Sequence, residues 1–213
     1  MSTKKWNLVI DVAKCFNCNC CTLACHDEYF DNEFPGYASG MPKHGQNWIS
    51  ITQRETGTVP MVEVSYLPTT CNHCDNPPCL AAARDGAVVK RDDGIVIIVP
   101  EKARGQRQIV DACPYGAVHW NEERQLPQAW PFDAHLLDKG WKRTRGAQSC
   151  PTRAMQVLHV EDDEMKRIVA EEGLEVLHPE YGTAPRVYYR NLKRFRSLFI
   201  GGSVAGEIAG VVE

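Results

Sequence analysis

Ten cysteines stand in the 213-residue chain, at positions 15, 18, 20, 21, 25, 71, 74, 79, 113 and 150, and their spacing is not random. KCFNCNCCTLAC holds Cys15, Cys18, Cys21 and Cys25 at C-x2-C-x2-C-x3-C. CNHCDNPPC holds Cys71, Cys74 and Cys79 at C-x2-C-x4-C, while Cys113 and Cys150 each stand alone before a proline. Thiols at C-x2-C spacing are too close in sequence for easy mutual disulfides, and without a secretory signal they read as metal or redox ligands. The first run has the spacing that ligates [4Fe-4S] clusters, and Cys-Pro is how such a run ends. Zinc is the competing reading. It prefers closed sites built from two paired knuckles, which a triplet with a distant Cys-Pro suits less well.

In two-cluster ferredoxins the first three cysteines of a run hold one cluster and the fourth serves the other. On that rule Cys113 completes Cys71, Cys74 and Cys79, and Cys150 completes Cys15, Cys18 and Cys21. Two reciprocal sites are then missing. One would need a cysteine at Ala83 and three more at Ala103, Gln106 and Ile109. The other would need Cys25 together with thiols at Trp130, Asp133 and Gly146. Eight ligands for two [4Fe-4S] clusters remain, with Cys20 and Cys25 as orphan thiols. The site beside Cys25 is expected to be filled by protein, because an empty cavity is costly. Trp130 and Phe132 should turn inward, and Asp133 should reach Arg143, Arg145, a backbone N–H or solvent, since a buried carboxylate cannot stay unpaired.

The stretches VIDVAKCFNCNCCTLAC, CNHCDNPPC, DDGIVIIVPEKA, DACPYGA and SCPTRA, in this order, resemble the iron–sulfur subunits of the molybdopterin oxidoreductases of the dimethyl-sulfoxide-reductase superfamily. LEVLHPEYGTAPRVYYRNL resembles their C-terminal strap. DEYFDNEFPGYASGMPKHGQNW and AHLLD are similar to the branch of pyrogallol–phloroglucinol transhydroxylases and anaerobic resorcinol hydroxylases. The superfamily pattern implies four clusters. The branch implies three, without the site at 103, 106 and 109, and this chain lacks one more at 130, 133 and 146. The resemblance implies a large catalytic subunit with a molybdenum or tungsten bis-pterin site acting on phenols, by hydroxylation or transhydroxylation ahead of reductive dehydroxylation. This chain has no catalytic constellation of its own. Two rivals are a structural subunit whose clusters only cross-link the fold, and a free-standing ferredoxin, which would need neither insertion nor strap.

The fold expected to position these ligands is α+β: two interleaved bacterial-ferredoxin-like modules, an insertion loop and an extended C-terminal strap. Residues 1–60 hold the first run and the insertion, 61–120 the second module, 121–160 the return to the first, and 161–213 a helix and the strap. Strands are expected at 6–12, near 47–52, at 95–99, in VHW after Cys113 and in MQVLHV after Cys150, with helices at 21–29 and 161–173. The insertion at 31–60 reads as loop-rich. His26 and His73, beside cluster ligands, read as groups that support the ligand loops or lie at the surface rather than as catalytic ones. Asp162, Asp163 and Glu164 read as a solvated helix start. A basic, extended segment at 181–195 (Arg186, Arg190, Lys193, Arg194 and Arg196 with Tyr188 and Tyr189) reads as a strap across a subunit interface rather than a nucleic-acid surface. A formal charge of −3 and a pI near 6.2 give no case for nucleic acid. No apolar run approaches the ~18 residues of a membrane span. The start, MSTKKWNLVIDVAKC, has no signal-length apolar region and no twin arginine, so the chain reads as cytoplasmic unless a partner exports it. The apolar, glycine-rich end SLFIGGSVAGEIAGVVE is expected to pair with something or stay loose.

Overall fold

The computed structural model describes residues 3–197. The expectation for the C-terminal end therefore lies, from residue 198 on, outside the described residues. Strand β1 (Lys5–Asp11) is the centre of a three-stranded sheet. It pairs antiparallel with β8 (Met155–Val160) and parallel with β9 (Val187–Arg190). A central strand is covered on both sides, and Asn7 to Asp11 are all buried. Ile10 lies opposite Met155, and the Asp11 N–H donates to the Ala154 carbonyl at 2.8 Å. That register brings the loop leaving β1 to the same end of the sheet as the loop entering β8.

Helix α1 (Cys20–Tyr29) follows the first loop and packs against α6 (Arg145–Ser149). Between them in sequence comes a hairpin of β2 (Ile49–Thr58) and β3 (Met61–Thr70), in register from Ile49 opposite Thr70 to Thr58 opposite Met61. The insertion is thus less loop-like than its glycines suggest. The strand expected at 47–52 runs on to Thr58, and the segment boundary at 60/61 coincides with the hairpin turn. Gly57 shows why a glycine belongs inside this ladder: its φ is +87°, and a Cβ there would sit 2.1 Å from the Met61 carbonyl oxygen. The hairpin base, with Ile49 and Leu67, is core; its tip leaves Val59, Met61 and Val62 exposed.

The rest is short pieces: α2 (Pro78–Ala82), the pair β4 (Val88–Lys90) and β5 (Val96–Ile98), α3 (Pro100–Ala103), α4 (Gln108–Asp111), the pair β6 (His119–Asn121) and β7 (Leu126–Gln128), and α5 (Ala134–Leu137). The strands expected at 6–12, 95–99, VHW and MQVLHV correspond to β1, β5, β6 and β8. Helix α7 (Asp162–Glu172) ends on Gly173 in the left-handed conformation, the usual stop for a helix. No described helix is long and apolar enough to cross a membrane.

The segment at 181–195 is less extended than expected. It runs through a 3-10 turn at Pro179–Tyr181, β9, and α8 (Lys193–Arg196). Its arginines are used within the chain. Arg186 is 2% exposed. It donates to Asp75 at 2.6 and 2.7 Å and to Asp162 at 2.8 Å, and Lys5 also donates to Asp162. Asp162 is therefore part of an ion-pair network rather than only a solvated helix start. Arg190 pairs with Glu172, Arg194 with Glu63 and Arg196 with Glu175. The strap ties α7 and the hairpin to the sheet.

Candidate metal centres

The loop after β1 supplies Cys15 and Cys18, the first turn of α1 supplies Cys21, and Cys150 ends α6. Asn17 and Asn19 both have φ near +60°, a conformation that asparagine tolerates better than most residues. Their turns curl the loop around a cavity lined by Cys15, Cys18, Cys21 and Cys150, with Phe16, Ile51, Pro68 and Met155 as apolar walls. Burial pushes the Cys15 thiol up and Cys21 to about 11, and repulsion from Cys150 adds to both. Cys20 is not among the residues lining this cavity. Cys25 lies one turn further along α1, buried, facing Asp133 and Cys21; burial, then those charges, raise its thiol far above the ordinary value.

The second group collects at the end of β3. Cys71 and Cys74 flank His73, Cys79 lies in α2, and Cys113 follows α4. Burial holds the Cys71 thiol well up, with repulsion from Cys79, Cys113 and Cys74 added, while a hydrogen bond from the His73 backbone to its sulfur opposes it. Cys79 is pushed to about 11 by burial and by Cys113 and Cys74. The loop is pinned by Lys90, whose Nζ donates to the carbonyls of His73, Cys74 and Gly94 at 2.8–2.9 Å and pairs with Asp75 at 2.9 Å. The structure thus brings together the two sets expected from spacing, including both distant Cys-Pro cysteines.

Crowded thiols, of which Cys15, Cys21, Cys71, Cys74 and Cys79 are raised first by burial and then by neighbouring sulfur, are poor places for thiolates unless positive charge lies between them. A cluster of iron ions supplies that charge, and the sulfur-directed donors of the His73 backbone and Thr183 suit it. Among the described residues no three His, Cys, Asp or Glu side chains are grouped as a single metal ion would need. The first set instead walls a cavity.

The positions without cysteine are filled. Trp130 and Phe132 are buried, 1% and 0% exposed, and their rings stack with centroids 4.9 Å apart. The Asp133 carboxylate accepts from Tyr29 Oη–H at 2.7 Å, Trp130 Nε1–H at 2.8 Å and the Arg145 backbone N–H at 2.6 Å. Burial raises its pKa, and these three donors oppose the rise. A Cβ on Gly146 would lie 3.3 Å from Ile49 Cδ1 and 3.4 Å from Cys21 Cβ. At the other missing site Ala103 and Ile109 are fully buried, Ala83 packs beside them, and Gln106 bonds Arg84 and Lys102. Of the two places expected for His73, the structure gives the supporting one, behind the Cys71–Cys74 loop rather than at the surface. His73 is buried, Val96 N–H donates to its Nδ1 at 3.1 Å, and burial, helped by Lys90, pushes its pKa down to about 3.

Residues 62–160 match the 4Fe-4S dicluster domain family. The chain is 46% identical over 204 residues to the pyrogallol hydroxytransferase small subunit of Pelobacter acidigallici, covering 94% of this chain and 74% of that one. It is 38% identical over 152 residues to the beta subunit of dimethylsulfide dehydrogenase from Rhodovulum sulfidophilum, covering 70% of this chain and 46% of that one. It is 32% identical over 192 residues to a subunit of tetrathionate reductase from Salmonella typhimurium, covering 88% of this chain and 73% of that one. The chain belongs to the iron–sulfur electron-transfer subunits of the molybdopterin oxidoreductases.

Proposed function

We propose that the chain carries two [4Fe-4S] clusters, one on Cys15, Cys18, Cys21 and Cys150 and one on Cys71, Cys74, Cys79 and Cys113, in two ferredoxin-like modules. It would pass electrons to or from a large molybdopterin subunit acting on phenols. The observation that carries the ligand reading is the cavity lined by the four thiols of the first set, one of them drawn from 129 residues beyond Cys21. When bound, the clusters supply one-electron chemistry. The chain's residues do the rest: thiolates hold the iron, Phe16, Ile51 and Pro68 keep water from the first site, and the His73 backbone and Thr183 donate to sulfur at the second, which raises the ease of reduction. The phenolic substrate is supported by the likeness to the pyrogallol hydroxytransferase small subunit. Hydroxylation by water would use the chain as an electron outlet; transhydroxylation has no net redox change and would use it to poise the pterin metal. A cytoplasmic location is the simplest assignment.

Iron and sulfide in the anaerobically loaded chain are expected at about eight each, from two four-iron cubanes. About twelve would give Cys25 partners, and about four would sink the pairing of Cys113 with the triplet at 71–79. Cys113→Ser and Cys79→Ser should damage one spectroscopic cluster, and Cys150→Ser and Cys18→Ser the other, while Cys20→Ser and Cys25→Ser leave the count unchanged. A scaffold role is favoured by one observation, the protein-filled position beside Cys25. Reduction of both clusters by substrate through the co-purified partner would exclude the scaffold and give the chain an electron-outlet role; clusters that stay oxidised fit the scaffold and transhydroxylation alike.

A further inference from the structure

Three buried rings lie between the second thiol set and the core that holds Cys21 and Cys25, where a ligand site is missing. His73 stands between Cys71 and Cys74. Its ring centroid is 5.0 Å from that of Phe132 and 5.7 Å from that of Trp130, at interplanar angles of 84° and 70°. Trp130 and Phe132 stack on each other, and both belong to the core that also holds Cys21 and Cys25. Asp133 continues the line: it takes Trp130 Nε1–H on the same oxygen as Tyr29 Oη–H, beside Cys25 and one helical turn from Cys21. Val96 N–H occupies His73 Nδ1, so Nε2 carries the ring proton, and that atom has no oxygen or nitrogen partner. The imidazole is a neutral ring packed among rings. Simple space-filling asks only for apolar volume here. It does not ask for stacked aromatic groups, nor for a carboxylate held in a core by three donors, an arrangement that costs desolvation.

We infer that the Trp130–Phe132 stack with His73 edge-on against it, anchored by Asp133, is the electronic bridge between the two cluster sites. The inference rests on the ligand reading above. An electron leaving one cluster enters the other; no bond forms or breaks, and no ring is oxidised. The rings act by filling the gap with delocalised orbitals in van der Waals contact, through which tunnelling falls off less steeply than across a void. Asp133 acts only as a positioning residue, holding the indole in place through Nε1.

The test uses the full chain, loaded with clusters and purified with its catalytic partner. A flash-generated reductant delivers one electron, and rapid freeze-quench electron paramagnetic resonance follows its redistribution between the clusters. Trp130→Leu should keep the iron count and the equilibrium spectrum but slow redistribution by about tenfold, because aliphatic volume and voids replace ring contacts. Trp130→Phe should restore most of the rate, and Trp141→Leu, at a partly exposed tryptophan outside the stack, should leave it unchanged. Where Trp130→Leu does not hold both clusters, Phe132→Leu makes the same measurement at the other ring. Parent rates in leucine variants with both clusters intact would overturn the bridge and leave the ligand reading standing. Fewer than two clusters in the parent chain would overturn the ligand reading itself.

Discussion

The two positions that lack their cysteines have been closed in opposite ways. The one beside Cys25 is filled by a tryptophan, a phenylalanine and a carboxylate with three donors. The one beside Cys113 is filled by alanine, isoleucine and a glutamine at the edge of a smaller core. Their surroundings account for the difference in volume. The first lies inside the largest apolar cluster, which also holds Leu8, Ile10, Tyr29 and Ile95, so volume must be supplied. The second is bordered by short helices, α2 and α4, which pack directly on each other. Small residues suffice where the walls close together.

The comparison predicts its largest effect at Trp130. Trp130→Ala should lower stability by about 3–5 kcal/mol, as large aromatic truncations in rigid cores do. Thermal unfolding of the loaded chain measures this, with the iron count as a control that stays constant. Ile109→Ala should cost less, about 2–3 kcal/mol, because alanine neighbours let α2 and α4 relax toward the gap. Equal losses at the two positions would break the comparison.

How much of this is readable beforehand follows from what each residue type can say alone. Cysteine spacing carries the grouping of thiols, since a lone Cys-Pro requires a triplet elsewhere, and the inward turn of Trp130 and Phe132 follows from the volume to be filled. The hairpin partner β3 escapes a local reading because the glycines around it suggest loop, while MVEVSYLPTT alternates only in part. The partners of the arginines escape a local reading for another reason. A basic extended stretch looks the same whether it faces a partner or its own chain, and only the fold shows that Asp75, Asp162, Glu172 and Glu63 lie opposite it. The third ring, His73, needs the tertiary contact to Trp130 and Phe132, which no local pattern encodes.

A sharper version of the comparison uses charge. Burial raises the Asp133 carboxyl above the ordinary value. In the pH window between the ordinary carboxylate pKa and the raised one, the folded state holds more protons at this group than the unfolded state, so its contribution to stability is present below that window and falls as pH rises through it. Asp133→Asn should remove that part of the slope. It keeps an acceptor for Tyr29 or Trp130 at the carboxamide oxygen but sets an amide N–H2 against a donor. Stability against pH, measured by denaturant titration of parent and variant over the same range, checks it; a parallel pair of curves would show that the three donors fully offset burial. Nothing comparable is expected at the smaller site, where no carboxylate is buried.

The smallest effect is expected at Gln106. Its Nε2 donates to the carbonyls of Lys102 at 2.9 Å and Arg84 at 3.2 Å, and its Oε1 accepts from the Arg84 N–H at 2.8 Å. These bonds clasp the end of α2 to the turn before α4, but they lie at the surface, and the groups released by Gln106→Ala would be taken up by water. A net loss of about 0.5–1 kcal/mol follows, the ordinary worth of exposed hydrogen bonds exchanged for hydration. Asp133→Ala, by contrast, would strand Tyr29 Oη–H and Trp130 Nε1–H in the core, where each unsatisfied donor costs about 1–3 kcal/mol. Measured side by side, the two substitutions ask whether a site lost at the rim and one lost in the interior were closed under the same constraint. A Gln106→Ala loss as large as that of Asp133→Ala would mean the rim is as inaccessible to water as the interior, and the contrast in how the two gaps were filled would then need a cause other than position.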